Sequence, residues 1–257
     1  MTSDENCLIS QVQNKNPLIL NITNYVSMEF VANGLLCMGA SPVMSHSLED
    51  ASALAHFAAA VVINIGTLDA DFMELADSIC QAATQKNIPL ILDPVGAGAT
   101  AARTTACWQL LDSYPFAVIR GNASEIKALA GRQGLTKGVD STEDSRTALV
   151  AAQQLARQKN LVVVASGATD LIVHPGAQQL IEGGSALMPL VTGSGCLFTA
   201  VVAAFCAVHS DYFAAAVAAA RFYGRCGELA ARTAPGPGSF KMQFLDHLYQ
   251  VAQGEAS

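Results

Sequence analysis

The chain has 257 residues, of which 51% are hydrophobic and only 14% charged. With a mean hydropathy of +0.34, it carries enough apolar side chain for a large core and excludes a disordered protein. A formal net charge of -7 with no basic block excludes a dedicated nucleic-acid or anionic-membrane binder, and an anionic substrate would need a cation, backbone N–H groups or one placed Arg.

From the N-terminus, residues 1–16 are polar and lack the basic-then-apolar layout of a signal peptide. Short, branched, uniformly apolar runs follow at 61–65, 90–92, 117–119 and 161–164, which suit strands covered on both faces of a mostly parallel sheet. Helix-like stretches lie around them at 49–60, 71–86, 104–114, 123–130 and 144–159. The last third adds two strand-like pieces, 170–173 and 179–181, then Ala-rich helices from 195 to about 234. The apolar run 197–208 is too short to span a bilayer and reads as a buried helix. No repeat, low-complexity linker or composition shift divides the chain, so residues 1–257 read as one three-layer α/β/α sandwich with a central mostly parallel sheet. The seven Cys form no C-x-x-C pair, which fits reduced thiols in a cytoplasmic protein better than a disulfide framework or a zinc site.

In open α/β sheets ligands bind beyond the carboxyl ends of the strands, and the chemistry-bearing residues of this chain fall there. After 90–92 comes Asp93-Pro94-Val95-Gly96-Ala97-Gly98-Ala99-Thr100. Its carboxylate is able to hold Mg²⁺ near phosphates, or simply to turn the chain, and the residues alone leave both readings open. After 117–119 comes Arg120-Gly121-Asn122-Ala123-Ser124-Glu125. Asn122 with Glu125 three residues on has the form of a capping box, and local evidence favours that cap over a metal role for Glu125; Arg120 is suited to a phosphate. After 161–164 comes Ala165-Ser166-Gly167-Ala168-Thr169-Asp170, where a tight connection between two strands outweighs a phosphate contact by Ser166.

The strongest local signal is Thr192-Gly193-Ser194-Gly195-Cys196 entering an apolar helix. Glycines abutting a helix start let successive N–H groups face an anion at the positive end of the helix dipole. Cys196 by default is a small buried hydrophobe, but the same helix terminus is expected to lower its pKa and favour a thiolate able to take an alcohol's proton. There is no G-x-x-x-x-G-K-[ST], no G-x-G-x-x-G, no H-R-D or D-F-G and no G-x-S-x-G, and the five His are scattered.

Together these motifs resemble the hydroxyethylthiazole kinases of the ribokinase-like superfamily. The resemblance runs through Asn21-Ile22-Thr23-Asn24, Ala32-Asn33-Gly34-Leu35-Leu36, Gly39-Ala40-Ser41-Pro42-Val43-Met44 and Asn64-Ile65-Gly66-Thr67-Leu68, continues through the three central motifs, and closes on Gly236-Pro237-Gly238-Ser239-Phe240. It implies ATP-dependent phosphorylation of the alcohol of 4-methyl-5-(2-hydroxyethyl)thiazole in thiamine salvage, by a homotrimer with active sites between subunits. It places Met44, Gly193 and Asn24 at the thiazole, Arg120, Ser166 and Gly195 at ATP, and Asp93 and Glu125 around Mg²⁺. Cys196 falls where most ribokinase-like enzymes carry a catalytic Asp. The chain departs from the family pattern in having Leu20-Asn21 for a His-Cys pair, and Ala168 where a Glu is usual. A kinase for another small alcohol (a hydroxymethylpyrimidine or pyridoxal) and a non-catalytic thiazole- or nucleotide-binding protein are the alternatives.

Overall fold

The computed structural model describes residues 3–131 and 145–255. The apolar runs become strands, and one sheet of eight collects them in the order β2-β1-β3-β4-β5-β6-β7-β8. In chain order these are β1 (Leu18–Ile22), β2 (Ser41–Val43), β3 (Ala60–Asn64), β4 (Leu90–Asp93), β5 (Phe116–Asn122), β6 (Val162–Ser166), β7 (Thr169–His174) and β8 (Ala177–Glu182). Neighbours from β2 to β6 pair in parallel, whereas β6–β7 and β7–β8 pair antiparallel. The parallel ladder forces helical crossovers, and these supply the outer layers.

One layer holds α3 (Leu48–Ala55), α4 (Ala70–Gln85), α5 (Ala101–Ser113), α6 (Ala123–Ala130) and α7 (Leu149–Lys159). It packs on Leu20, Val61, Ile63, Leu90, Leu92, Ile119 and Val163. The other holds α1 (Ser3–Lys15), α2 (Met28–Cys37), α8 (Ser194–Cys206), α9 (Tyr212–Thr233) and α10 (Pro237–Ala252). It packs on Ile19, Ala60, Val62, Ile91, Val118, Val162 and Val164. Strand residues therefore alternate between two cores, as the two-residue period of a pleated strand requires. The expected sandwich with a mostly parallel sheet is what forms.

Several boundaries differ from the sequence expectation for identifiable reasons. The stretch 49–60 reads as a single helix because it is Ala-rich with no breaker, but α3 stops at Ala55. The sheet takes the remainder, with the Ala59 N–H donating to Leu18 O and Ala60 beginning β3. Strands β1 and β2 were outside the expected set: β1, Leu18-Ile19-Leu20-Asn21-Ile22, has the same form as the expected run 61–65 and was legible, whereas β2 is three residues with a central Pro. The polar N-terminus forms α1, held through buried Leu8, Ile9 and Val12. Of the helix expected over 144–159, Asp144 lies outside the described residues, and a short 3-10 turn, Ser145–Ala148, leads into α7. Among the described residues no helix is long and apolar enough to cross a membrane.

The placement of α8 is what builds the site. Every residue from Leu197 to Cys206 is buried, so this helix is apolar around its circumference and lies enclosed between the sheet, α2 and α9. It crosses α2 at Gly34, where a Cβ would sit 2.3 Å from the Leu197 side chain. Gly34→Ala should therefore push α2 off α8 and destabilise the protein by about 1–3 kcal/mol. Urea unfolding measures this; a variant as stable as the parent would show that the two helices yield without cost.

Candidate active site

Strand alternation aims the polar residues at the sheet's carboxyl edge. In β3, Ala60 and Val62 face the α8 layer, so Asn64 does too; in β4, Asp93 follows Ile91 onto the same face. Arg120 follows Val118 in β5, and Ser166 follows Val164 in β6. Four polar side chains from four adjacent strands thus meet the N-terminus of α8 rather than the opposite core.

That terminus is shaped by Gly193, its N-cap, at φ +88°, where an L side chain would be strained and a Cβ would lie 2.9 Å from Ser27 Cβ. The turn is fixed by the Ser194 hydroxyl donating to Met188 O (2.8 Å) and the Tyr223 hydroxyl donating to Ser194 O (2.6 Å). The Gly195 and Cys196 N–H groups have no carbonyl acceptor among the described residues, as an anion site at a helix start requires. Gly195 also admits Arg120, whose Nη1 would be 2.7 Å from a Cβ there. The guanidinium donates to Ser166 Oγ, lies 5.2 Å above the Phe198 ring, and keeps a buried Nε with no partner among the described residues. Phe198 in turn stacks on Tyr223 at 4.8 Å. Arg120 is thus held against the glycine turn by shape, with donor capacity left over.

Asp93 is buried at the end of β4, and its Oδ2 accepts from Asn64 Nδ2 (2.7 Å) and Thr199 Oγ1 (2.8 Å). Burial raises its pKa, opposed by the Arg120 charge and these two hydrogen bonds. Glu125 forms the expected capping box with Asn122, and its two oxygens accept from Asn122 N (2.8 Å) and Gly96 N (2.9 Å). Burial, and then the charge of Asp93, raise Glu125 from 4.5 to about 7. Burial likewise raises Asp170, at the start of β7, from 3.8 to about 6. Arg103 ties the loops after β3 and β4 together by donating to Ile65 O, Val95 O and Gly66 O.

The expected thiolate at Cys196 is overturned. Burial, followed by the Asp93 charge, raises its pKa, and the neighbouring polar side chains, with Asn24 donating to the sulfur at 3.2 Å, only partly offset them. Loss of water around the sulfur and a carboxylate nearby both favour the neutral thiol over the thiolate.

Of the residues singled out in the sequence, Asp93, Arg120, Glu125, Ser166, Gly193, Gly195 and Cys196 converge at this edge. Asn24 joins them after β1, 3.2 Å from the Cys196 sulfur. Met44 follows β2, toward the sheet's margin, half-buried against the α8-side core. For Ser166 the tight connection between strands is what forms, since Gly167 and Ala168 alone link β6 to β7 in a hairpin, and its hydroxyl meets Arg120. Asn64, Thr199, Ser27 and Arg103 were missed. Asn64 ends an apolar strand run and Thr199 lies one turn beyond Gly195, signals of position without chemical emphasis.

Mg²⁺, implied by the family resemblance, suits the donor set. Two buried carboxylates of raised pKa adjoin, and Asp93 Oδ1 receives no hydrogen bond among the described residues. Among those residues no cluster of three or more His, Cys, Asp or Glu could form a cage. Mg²⁺ needs none, since it is usually held by one or two carboxylates, waters and substrate phosphates.

A mostly parallel sheet with carboxylates, an Arg and a glycine-opened helix at its carboxyl edge has the ribokinase-like arrangement. The fold agrees: a ribokinase-like superfamily protein from Enterococcus faecalis superposes with a TM-score of 0.72 over 98% of this chain and 95% of that one, at 15% identity. The chain belongs to the Hydroxyethylthiazole kinase family, whose sequence profile matches residues 9–254. It is 43% identical to the hydroxyethylthiazole kinase of Nitratidesulfovibrio vulgaris over 96% of this chain and 92% of that protein. The solved hydroxyethylthiazole kinase protein from Pyrococcus horikoshii is 35% identical, with a TM-score of 0.89, covering 97% of this chain and 94% of that one.

The raised carboxylates fix a pH dependence. Because Glu125 titrates higher folded than unfolded, its contribution to stability is complete below about pH 4.5 and is lost as pH rises through about 7, and Asp93 acts in the same direction. The melting temperature of the metal-free protein should fall across that window, and Glu125→Gln should flatten the fall. A parent profile that rises there would contradict the assigned environment.

Proposed function

We propose that the protein, as one kinase domain over residues 1–257, transfers the γ-phosphoryl group of ATP to the hydroxyl of 4-methyl-5-(2-hydroxyethyl)thiazole, in thiamine salvage. The observation that carries the reading is the convergence of the free Gly195 and Cys196 amides with Arg120, Asp93 and Glu125 at one sheet edge. The family supplies the acceptor alcohol.

In this reading Arg120 and Ser166 grip the ATP phosphates, with the guanidinium held in place by Phe198 and the glycine turn. The α8 amides receive charge developing on the transferred group. Asp93, with Glu125 through water, would hold Mg²⁺, which when bound neutralises phosphate charge. The acceptor lies between Gly193, Asn24 and Met44, with Cys196 beside its hydroxyl. As a thiol, Cys196 orients that hydroxyl through its sulfur rather than acting as a standing base. The hydroxyl oxygen bonds to the γ-phosphorus as the bond to the β,γ-bridging oxygen breaks, and the proton leaves to the phosphoryl product or water.

The homotrimer with sites between subunits belongs to the same proposal. Tyr25 and Val26, directly after Asn24, are 61% and 71% exposed and offer an apolar rim for a neighbouring subunit. The free cysteines support a reducing, cytoplasmic setting.

The experiment is ATP consumption with the thiazole alcohol, the phosphorylated product being identified by mass. Arg120→Ala should raise KM for ATP about tenfold or more, as loss of charge-assisted hydrogen bonds predicts. Turnover on a hydroxymethylpyrimidine or pyridoxal but not the thiazole would sink the substrate assignment, and unchanged use of limiting ATP by Arg120→Ala would sink that residue's role.

A further inference from the structure

Between the two sides of the site lies a side chain that cannot touch a substrate. Asn64 has no exposed surface, yet it is bonded in both directions. Its Oδ1 accepts from Asn24 Nδ2 (2.9 Å) and Gly66 N (3.0 Å), and its Nδ2 donates to Asp93 Oδ2 (2.7 Å). Asn24 places its Oδ1 on the Ser27 N–H (3.1 Å) and its Nδ2 also within 3.2 Å of Cys196 Sγ.

The sense of these bonds is fixed. An amide side chain has two orientations that differ only in exchanging O and N. A backbone N–H can only donate, so the Gly66 N–H requires oxygen on one side of Asn64 and the Ser27 N–H requires it on one side of Asn24. The NH₂ groups must then face Asp93 from Asn64, and Asn64 and Cys196 from Asn24. Thr199 closes the circuit: its hydroxyl donates to Asp93 Oδ2 (2.8 Å), and its helix carries Cys196 one turn earlier. Asp93, Asn64, Asn24, Cys196 and Thr199 form one ring with a single direction of donation on each side-chain link.

We propose that Asn64 is a positioning residue for phosphoryl transfer, orienting Asn24 against the Cys196 sulfur and the Asp93 carboxylate at the same time. The acceptor side and the metal side of the site then share one buried anchor, and a displacement at either is transmitted to the other. Asn24 is the donor on the sulfur at 3.2 Å, with the Ser27 and Asn64 side chains nearby and Asp93 acting on it as a charge. The nearby Tyr223 hydroxyl is already committed to Ser194 O. Without Asn64, Asn24 loses the acceptor that holds it in line, and its second hydrogen no longer holds the sulfur. This rests on the kinase reading of the site, so the test includes a readout that needs no turnover.

Asn64→Ala, Asn24→Ala and the double variant are compared with the parent, each shown to be folded by thermal melting; Asn64→Ser replaces Asn64→Ala should the latter not fold. Two measurements are made: kcat and KM for ATP and the thiazole alcohol, and the pH profile of iodoacetamide alkylation at Cys196, followed peptide by peptide. Asn64→Ala should lower kcat about 10- to 100-fold with KM for ATP within about twofold. It should move the midpoint of Cys196 alkylation upward by about half a pH unit or more, because the thiolate loses a donated hydrogen bond. The double variant should resemble the more severe single variant, since the two asparagines act in series. A folded Asn64 variant with the parental alkylation midpoint, or full additivity of the two substitutions, overturns the proposal. Absence of thiazole turnover in the parent, with the midpoint shift present, would refute the kinase reading while leaving the Asn64–Cys196 link intact.

Discussion

The position of α8 is the constraint on which the site depends. A helix buried from Leu197 to Cys206 has no polar face with which to choose its rotation, so its orientation comes from shape and from one hydrogen bond. Shape is the Gly34–Leu197 crossing, where a missing Cβ lets two helices touch. The bond is from Thr199 to Asp93, across the boundary between helix and sheet. Together they set the height and turn of the helix, and the Gly195 and Cys196 amides therefore arrive beside Arg120 and Asp93.

Electrostatically the site is unbalanced in the direction a kinase needs. Asp93, Glu125 and Asp170 all have raised pKa values, and burial is the leading cause for each. Arg120 is the cation that acts on all three, so positive charge is in short supply until a metal ion is added. In the proposed reading phosphates bring the opposite demand, which the helix amides and the guanidinium are placed to meet. The chain's net charge of -7 would otherwise oppose an anionic substrate, and the local arrangement counters it. The cost is borne elsewhere: the thiol of Cys196 is held protonated by burial and by the carboxylate that would serve the metal.

Two departures from the family pattern fall on opposite kinds of position. Ala168 is exposed in the β6–β7 hairpin, where a shorter side chain leaves Ser166 and its bond to Arg120 in place. Asn21 is buried in β1 on the α8 face, donating to Ile19 O while its Oδ1 has no partner among the described residues. An apolar or thiol side chain would carry no such unmet acceptor. The first change removes a charge from the surface, and the second introduces a polar atom into the core.

By itself the sequence determined which segments would be strands and helices in the centre of the chain, because uniformly apolar runs and uninterrupted helical stretches are local properties. It also determined the capping box at Asn122 and Glu125 and the glycine turn that opens α8, since backbone chemistry within five residues decides both. Tertiary structure alone put Cys196 where burial and Asp93, distant in sequence, raise its pKa. It alone joined Asn64 and Thr199 to Asp93, contacts spanning 29 and 106 residues. It also decided that β2 is a strand, because three residues with a central Pro are too short to announce themselves and depend on a neighbour's hydrogen bonds. What lies within one turn or one strand is written in the chain; what depends on the loss of water or a partner from another element appears only when the layers close.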